Sequence, residues 1–409
     1  MRISTASQFD RSVDLIQRRQ QALQSSHEQL ASGKRIARAS DDPTQAASAE
    51  RALAREVRLE ARQRALESSR QVMAQSESAL GSAVDIMQRI RELVVQAGNA
   101  AGGEANRKVI AGELQGLRQQ LLGIANQQDG NGNYLFAGQG GASTPFVDEA
   151  AGVEFRGAAG SRESVLGSAA PMSVDGAQTW MQAPSGNGVF KAAHARADSA
   201  PASHQTQAWI DTGRVTDPGA LTGETYSLTF TSDAAAGTMV TITRTTGAGS
   251  PAAETPRPYL SGRPIAFAGM EVTVSGTPSP GQDTFQITPS APELSLFGVL
   301  DGLARDLGTA GRSGAQVTQT VQDGLRDIDS VMGSLMTTRS RIGWIMEQAD
   351  GLDGRLGDGR LAAQSQRSAA EDLDMAQAIT DFQNRQTSYD AALKAYSMVQ
   401  RLSLFEYIR

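Results

Sequence analysis

Thirteen of the 14 prolines of this 409-residue chain fall between Pro145 and Pro292. A proline inside a helix removes a hydrogen bond and clashes with the preceding turn, at about 3 kcal/mol. Residues 44–144 and 293–409 are therefore free to form long helices, and the middle is not. Both proline-free flanks carry apolar residues at alternating three- and four-residue spacing, the pattern of helices that pair along a narrow seam. The partition predicts a mainly α protein with an inserted β domain. Its N- and C-terminal helices would pair into a long antiparallel coiled-coil rod, with a small antiparallel β domain between them.

In the N-terminal flank the seam runs Phe9, Val13, Ile16, Gln20, Leu23, His27 and Leu30, with two polar members that can fix register against a partner. The segment LASGKRIARASDDP then predicts a break, with Gly33 as a C-cap, Asp41 or Asp42 as an N-cap and Pro43 in the first turn of the next helix. That helix is expected over about 43–98, where Leu59, Leu66, Met73, Leu80, Met87 and Val94 recur every seven residues, giving a rod of roughly 80 Å. Residues 98–103 read as a turn. Ile110, Leu114, Leu117, Leu121 and Ile124 then mark a shorter helix returning antiparallel to the second.

In the C-terminal flank Leu296, Leu300, Leu303 and Leu307 begin a return that Val317, Val321, Ile328, Val331, Leu335, Ile342, Ile345 and Leu352 continue. The run GLDGRLGDG at 351–359 predicts a break before a last helix, on which Met375, Ile379, Phe382, Tyr389, Leu393 and Tyr396 share one face. Between the flanks, alternating apolar residues predict half-buried strands at Tyr226, Leu228 and Phe230, at Val240 and Ile242, at Met270, Val272 and Val274, and at Phe285 and Ile287. Residues 183–206 and 246–258 read as long loops. The expected division is a terminal domain of 1–40 plus 365–409, a helical rod of 41–140 plus 294–364, and an exposed β-rich insert of 141–293.

Composition narrows the function. The net charge of −6 sits on the middle, since residues 141–293 carry 8 basic and 14 acidic residues and leave the flanks neutral. A neutral helical frame offers no basic face for nucleic acid. In RALAREVRLEARQR, Glu50, Glu56, Glu60 and Glu67 interleave with arginines, which favours a solvated or inter-subunit salt-bridging face. The absence of cysteine excludes disulfides, thiolate metal sites and cysteine nucleophiles. The N-terminus lacks the apolar core of a secretory signal, and no run of about 18 apolar residues occurs to cross a membrane.

No cofactor or enzyme chemistry is expected either. His27 lies on the seam, while His194 and His204 are too far apart in a polar loop to make a zinc site. Asp129, Asn131 and Asn133 alternate as in a calcium loop, but Tyr134 and Gly140 stand where glycine and glutamate are needed, so a tight turn explains them. GQGG at 138–141 is not followed by a helix pattern, and no GxSxG or P-loop sequence is present. Asp41 and Asp42 beside a helix start read as caps rather than as an acid/base pair.

Several short motifs combine in order. SGKRI at 32–36, SDDP at 40–43 and IRELVVQAGN at 90–99 resemble the N-terminal region of the bacterial flagellin family. NYLFAG at 133–138 and SLFEYIR at 403–409 look more like its hook-filament junction members than its filament subunit, and RIG at 341–343 resembles a short motif of the family's C-terminal long helix. The motif residues are Ser32, Gly33, Arg35, Ile36, Asp41, Asp42, Leu135, Phe136 and Gly138. The resemblance covers about 1–140 and 294–409.

The resemblance implies a structural adaptor without catalytic activity, exported through the flagellar channel without a cleavable signal and located outside the cell. It implies a homo-oligomeric layer between a hook-side junction protein and filament flagellin, and a cytoplasmic export chaperone on the C-terminal helix. The assembly interface would be Phe9, Val13, Ile16, Leu23, Leu30, Met375, Ile379, Phe382, Tyr389, Leu393, Tyr396, Leu402 and Phe405. The alternatives are a filament-forming flagellin and, further off, a secreted adhesin or hydrolase whose β insert binds a ligand through exposed Trp180 and Trp209.

Overall fold

A computed structural model describes residues 5–99, 103–141, 143–196, 205–235, 237–245 and 252–407. Its helices are α1 (Thr5–Ser32), α2 (Pro43–Ala97), α3 (Gly103–Ala125), the single turn α4 (Gly176–Trp180), α5 (Leu296–Gly308), α6 (Gly314–Glu371) and α7 (Met375–Tyr407). The chain forms two compact units: one holds the residues up to 64 and from 351 onward, and the other holds 65–350.

The heptad stripe of α2 does what its spacing requires. Leu66, Met73, Leu80, Met87 and Val94 are all buried, the last four in one core with Ile110, Leu114 and Leu121 of α3, Leu300 and Leu303 of α5, and Ile328, Leu335 and Ile342 of α6. Each such side chain contributes about 1.5–3 kcal/mol on burial. Paired charges flank the stripe. Within the 65–350 unit, Arg91 contacts Asp329 at 2.9 Å, while Glu77 pairs with Arg339 and Arg70 with Asp350. In the terminal unit Gln63 meets Asp353 at 3.2 Å, and Glu56 meets Arg367 at 2.7 Å. Partner numbers on α6 rise as those on α2 fall, so the two helices are antiparallel. Glu56 is thus spent within the chain, while Arg64 and Glu60 form an exposed pair along α2.

Two expectations for the C-terminal flank are corrected. The return is interrupted at 309–313, and α5 packs on α3 as a separate element. Ser313 restarts the chain as a capping box: its hydroxyl accepts from the Gln316 N–H at 3.2 Å, and its own N–H donates to Gln316 Oε1 at 3.0 Å. The second correction is that 351–359 is not a break. Helix α6 runs through it for 58 residues, because the heptad carries across the glycines at Ala349, Leu356, Ala363 and Ala370, all buried. Packing outweighs the low propensity of glycine there. The break falls at 372–374 instead.

Within residues 143–184, Phe146, Val174, Trp180 and Ala183 are buried in the helical core and Val153, Phe155, Met172 and Met181 pack against it, while Val165 is exposed. Trp180, which only the ligand-binding alternative needs exposed, is 1% exposed, edge-on to Phe136 at 5.4 Å and stacked on Phe297 at 6.2 Å. Trp209 is half-buried in the strand Gln207–Ile210.

The remaining insert is two antiparallel sheets over one core of Phe190, Leu228, Phe230, Val240, Ile242, Val272, Val274, Phe285 and Ile287. In one sheet Gly237–Thr245, Thr225–Asp233, Asp283–Pro289 and Phe190–Arg196 lie side by side in that order. In the other Met270–Thr277 sits between Pro264–Phe267 and Gln207–Ile210. The four predicted strands are all present. Of the expected loops, 183–184, 190–196, 252–253 and 257–258 are strand instead, and 197–204 (with His204) and 246–251 lie outside the described residues. The chain enters and leaves this β region at one place, where Ser185 N–H donates to the Ala291 carbonyl at 3.0 Å and Ala291 N–H to Ser185 Oγ at 3.1 Å.

Candidate assembly interface

The loop after α1 begins at Gly33, whose φ of +70° suits glycine and whose N–H donates to the Gln29 carbonyl at 2.9 Å, ending the helix. Ser32 Oγ accepts from the Lys34 N–H at 3.3 Å. Asp41 accepts from the N–H groups of Ala37 and Arg38 at 3.2 and 2.9 Å, folding the loop on itself. Asp42 caps α2, accepting from the N–H groups of Thr44 and Gln45, both at 3.1 Å. The backbone hydrogen bond from Gln45, then the Thr44 hydroxyl, lowers the pKa of Asp42 below the usual carboxylate value.

Sequence reasoning read SGKRI as a break and missed what it touches. Lys34 forms an antiparallel bridge with Asp372, and its ammonium lies 3.2 Å from Glu371. Arg35 N–H donates to the Glu371 carbonyl at 2.8 Å, and its guanidinium to the Ala370 carbonyl at 2.7 Å. The breaks at either end of the chain are therefore joined to each other. Ile36 is half-buried. Nothing in the local pattern of either segment announces the other; only the matching positions of the two breaks hint at it.

Next to this joint α1 and α7 lie side by side. Arg385 donates to the Ala22 carbonyl at 3.0 Å and to Ser26 Oγ at 2.8 Å, Arg19 donates to the Ser388 carbonyl at 2.7 Å, and the His27 and Phe382 rings are 6.3 Å apart. Of the predicted seam, Val13, Ile16, Leu23, Leu30, Phe382, Tyr389 and Tyr396 are half-buried, and Met375, Ile379 and Leu393 are exposed. The side chains of Phe9, Leu402 and Phe405 lie outside the described part of the structure. The terminal unit also exposes Leu15, Leu53, Val57, Leu361 and Met398.

The second motif, at 133–138, is structural in a different way. Leu135 and Phe136 are buried in the helical core. Gly138, at φ +65°, passes so close to the neighbouring chain that a Cβ would stand 1.7 Å from the Ala158 carbonyl oxygen. Asp129 accepts from the N–H groups of Asn131 and Asn133, both at 2.8 Å, as expected of a tight turn. The Arg341 guanidinium of RIG donates to Gln178 Oε1 at 3.3 Å, and Ile342 is buried.

Charged groups elsewhere are turned inward as clamps. Arg118 makes a bidentate pair with Asp148 at 2.6 and 2.7 Å and contacts Asp301 at 2.7 Å, tying α3 to the strand Phe146–Glu149 and to α5. These hydrogen bonds, that of Asp148 first, raise the arginine pKa, and the arginine in turn lowers that of Asp148. His194, expected to be a solvated loop residue, is on the strand Phe190–Arg196 with Nε2 3.0 Å from the buried Asp283. Asp323 of α6 has its pKa raised, chiefly by burial. Among the described residues no group of three or more His, Asp or Glu side chains could hold a metal ion, and no helix is long and apolar enough to cross a membrane.

Residues 3–140 match the bacterial flagellin N-terminal helical region. Flagellar hook-associated protein 3 of Salmonella typhimurium is 33% identical over 192 residues, which are 46% of this chain and 57% of that relative, so the match spans little more than half its length. The protein of the same name from Escherichia coli is 23% identical over 406 residues, covering 99% of each chain. The crystal structure of flagellar hook-associated protein-3 from Legionella pneumophila superposes with a TM-score of 0.68 at 27% identity, covering 77% of this chain and 97% of that one. The chain thus carries the bacterial flagellin N-terminal helical region, and along its full length it is similar to flagellar hook-associated protein 3.

Proposed function

We propose that the protein is a structural adaptor at the bacterial flagellar hook-filament junction, coupling a hook-side junction protein to filament flagellin through its terminal helices. The observation that carries this reading is the terminal unit, where α1 and α7 meet yet Leu15, Leu53, Val57, Leu361, Met375, Ile379, Leu393 and Met398 remain exposed. So many large apolar side chains on one small helical unit mark a surface that another protein covers. At about 25 cal/mol per Å² their burial opposes the entropy of ordering the subunit in an assembly.

In this reading the terminal seam pairs as a coiled coil in the assembled structure, a homo-oligomeric layer forms, and the β region faces outward. Before export the C-terminal helix is covered by a cytoplasmic chaperone, and the protein travels through the flagellar channel to the outside of the cell. The function is mechanical.

Fluorescently labelled protein should appear at the hook end of intact filaments, and a deletion strain should shed its filaments. Filaments that stay attached without the protein would overturn the proposal. Label along the whole filament, with seeded polymerisation of purified protein, would make it a filament flagellin instead.

A further inference from the structure

Four glycines, Gly351, Gly354, Gly357 and Gly359, fall within nine residues of α6, in the part of the helix where the two compact units divide. Glycine inside a helix is ordinarily explained by a positive φ or by a close approach that leaves no room for Cβ. Neither applies here. None of the four has a positive φ, and a Cβ at Gly354 or Gly357 would meet nothing within 4 Å. At Gly351 the nearest atom would be the flexible Arg355 guanidinium at 3.8 Å, and at Gly359 the Leu59 side chain at 3.4 Å, both ordinary contacts. Gly324 of the same helix shows the contrast: a Cβ there would stand 2.4 Å from Leu303, so packing requires its glycine.

What the four glycines bring, then, is backbone freedom. The facing stretch of α2, REVRLEARQRA at 55–65, has no glycine and is built of strong helix formers. Between the two stretches Gln63 donates to Asp353 at 3.2 Å, and Leu356 is the buried large side chain of 351–359. We propose that residues 351–359 are a joint built into α6, which opens locally from helix while α2 opposite stays helical. Bending of this helix pair is then taken up on the α6 side alone, at the place where helix gives least stability, as sharp bends in helices generally are.

Hydrogen exchange read by mass spectrometry on the full-length protein tests this. Protection at 351–359 should be at least about 100-fold lower than at 55–63 of α2. The double substitution Gly354→Ala with Gly357→Ala should raise protection at 351–359 by about 30-fold, each alanine contributing about fivefold, equivalent to about 1 kcal/mol. The control pair Gly333→Ala with Gly343→Ala, whose Cβ atoms would also meet nothing within 4 Å, should leave 351–359 unchanged. Equal protection of the two facing stretches would mean that the whole terminal unit opens together, and would overturn the joint. No gain from the double substitution, or an equal gain from the control, would do the same.

Discussion

Leu373 donates its backbone N–H to the carbonyl of Gly33 at 3.0 Å, so the turn that ends α1 and the turn that precedes α7 are held together by main-chain hydrogen bonding. Such a bond depends on the path of the backbone more than on side-chain identity. The motif SGKRI thereby acquires a physical meaning: it shapes one half of a two-part corner.

The corner can be tested at Gly33. A Cβ there meets nothing within 4 Å, so Gly33→Ala changes only the cost of φ +70°. The expected loss is about 1 kcal/mol, read as a lower urea midpoint for helical circular dichroism. An unchanged midpoint would mean that the corner does not need its left-handed residue.

The seam predicts a split between folding and assembly. Phe382 is half-buried near His27, and Leu393 is exposed. Phe382→Asp and Leu393→Asp should each abolish incorporation and motility, while strand circular dichroism and thermal unfolding of the β region stay as in the parent. Motile cells carrying either variant would count against the seam.

At Gly138 the opposite balance holds. A Cβ would overlap the Ala158 carbonyl oxygen and force φ +65° on an alanine. Gly138→Ala should therefore destabilise by about 3–4 kcal/mol or prevent folding. Denaturant unfolding followed through the buried Trp180 reports it directly.

The Arg118 clamp gives a pH signature. Its side chain is 7% exposed, but Asp148 and Asp301 keep 36% and 30%, so solvent softens the loss of the pair. Arg118→Met should cost about 2 kcal/mol near pH 7, below the 3–5 kcal/mol of a fully buried pair. Because the arginine lowers the folded pKa of Asp148, the stabilisation is present above the unfolded value of about 3.9 and is lost as pH falls through the lower folded one. Parent and variant should thus begin to converge as pH falls below about 4 in urea titrations. A gap that does not narrow at all on acidification would mean that packing, not charge, is what Arg118 supplies.

The helices and strands were legible because burial imposes a period: every seventh residue from Leu66 to Val94, every second from Tyr226 to Phe230. Propensity misled where it opposed that period. GLDGRLGDG looks like a break only if Leu356 is not counted with Ala349 and Ala363 as one stripe. Trp180 was misplaced for a different reason: in a proline-rich stretch without clear periodicity, nothing local indicates which of two cores a side chain joins. Long-range contacts such as Lys34 with Glu371, Arg118 with Asp301 and His194 with Asp283 join residues 89 to 337 positions apart. They depend on how whole elements meet, which no single segment encodes.

The adjacent Ser185 and Ala291 have a consequence for how such chains diversify. Two strand ends a few ångströms apart form a socket that any module with neighbouring termini can occupy, since the frame sees only the gap between its ends. Exchange of everything between them would leave Phe146, Trp180 and Phe297 packed together, and with them the helical core. A graft cut at 141 and 293 would take Phe146 and Trp180 away with the module, whereas a cut at 185 and 291 would lift out the sheets and keep the frame whole.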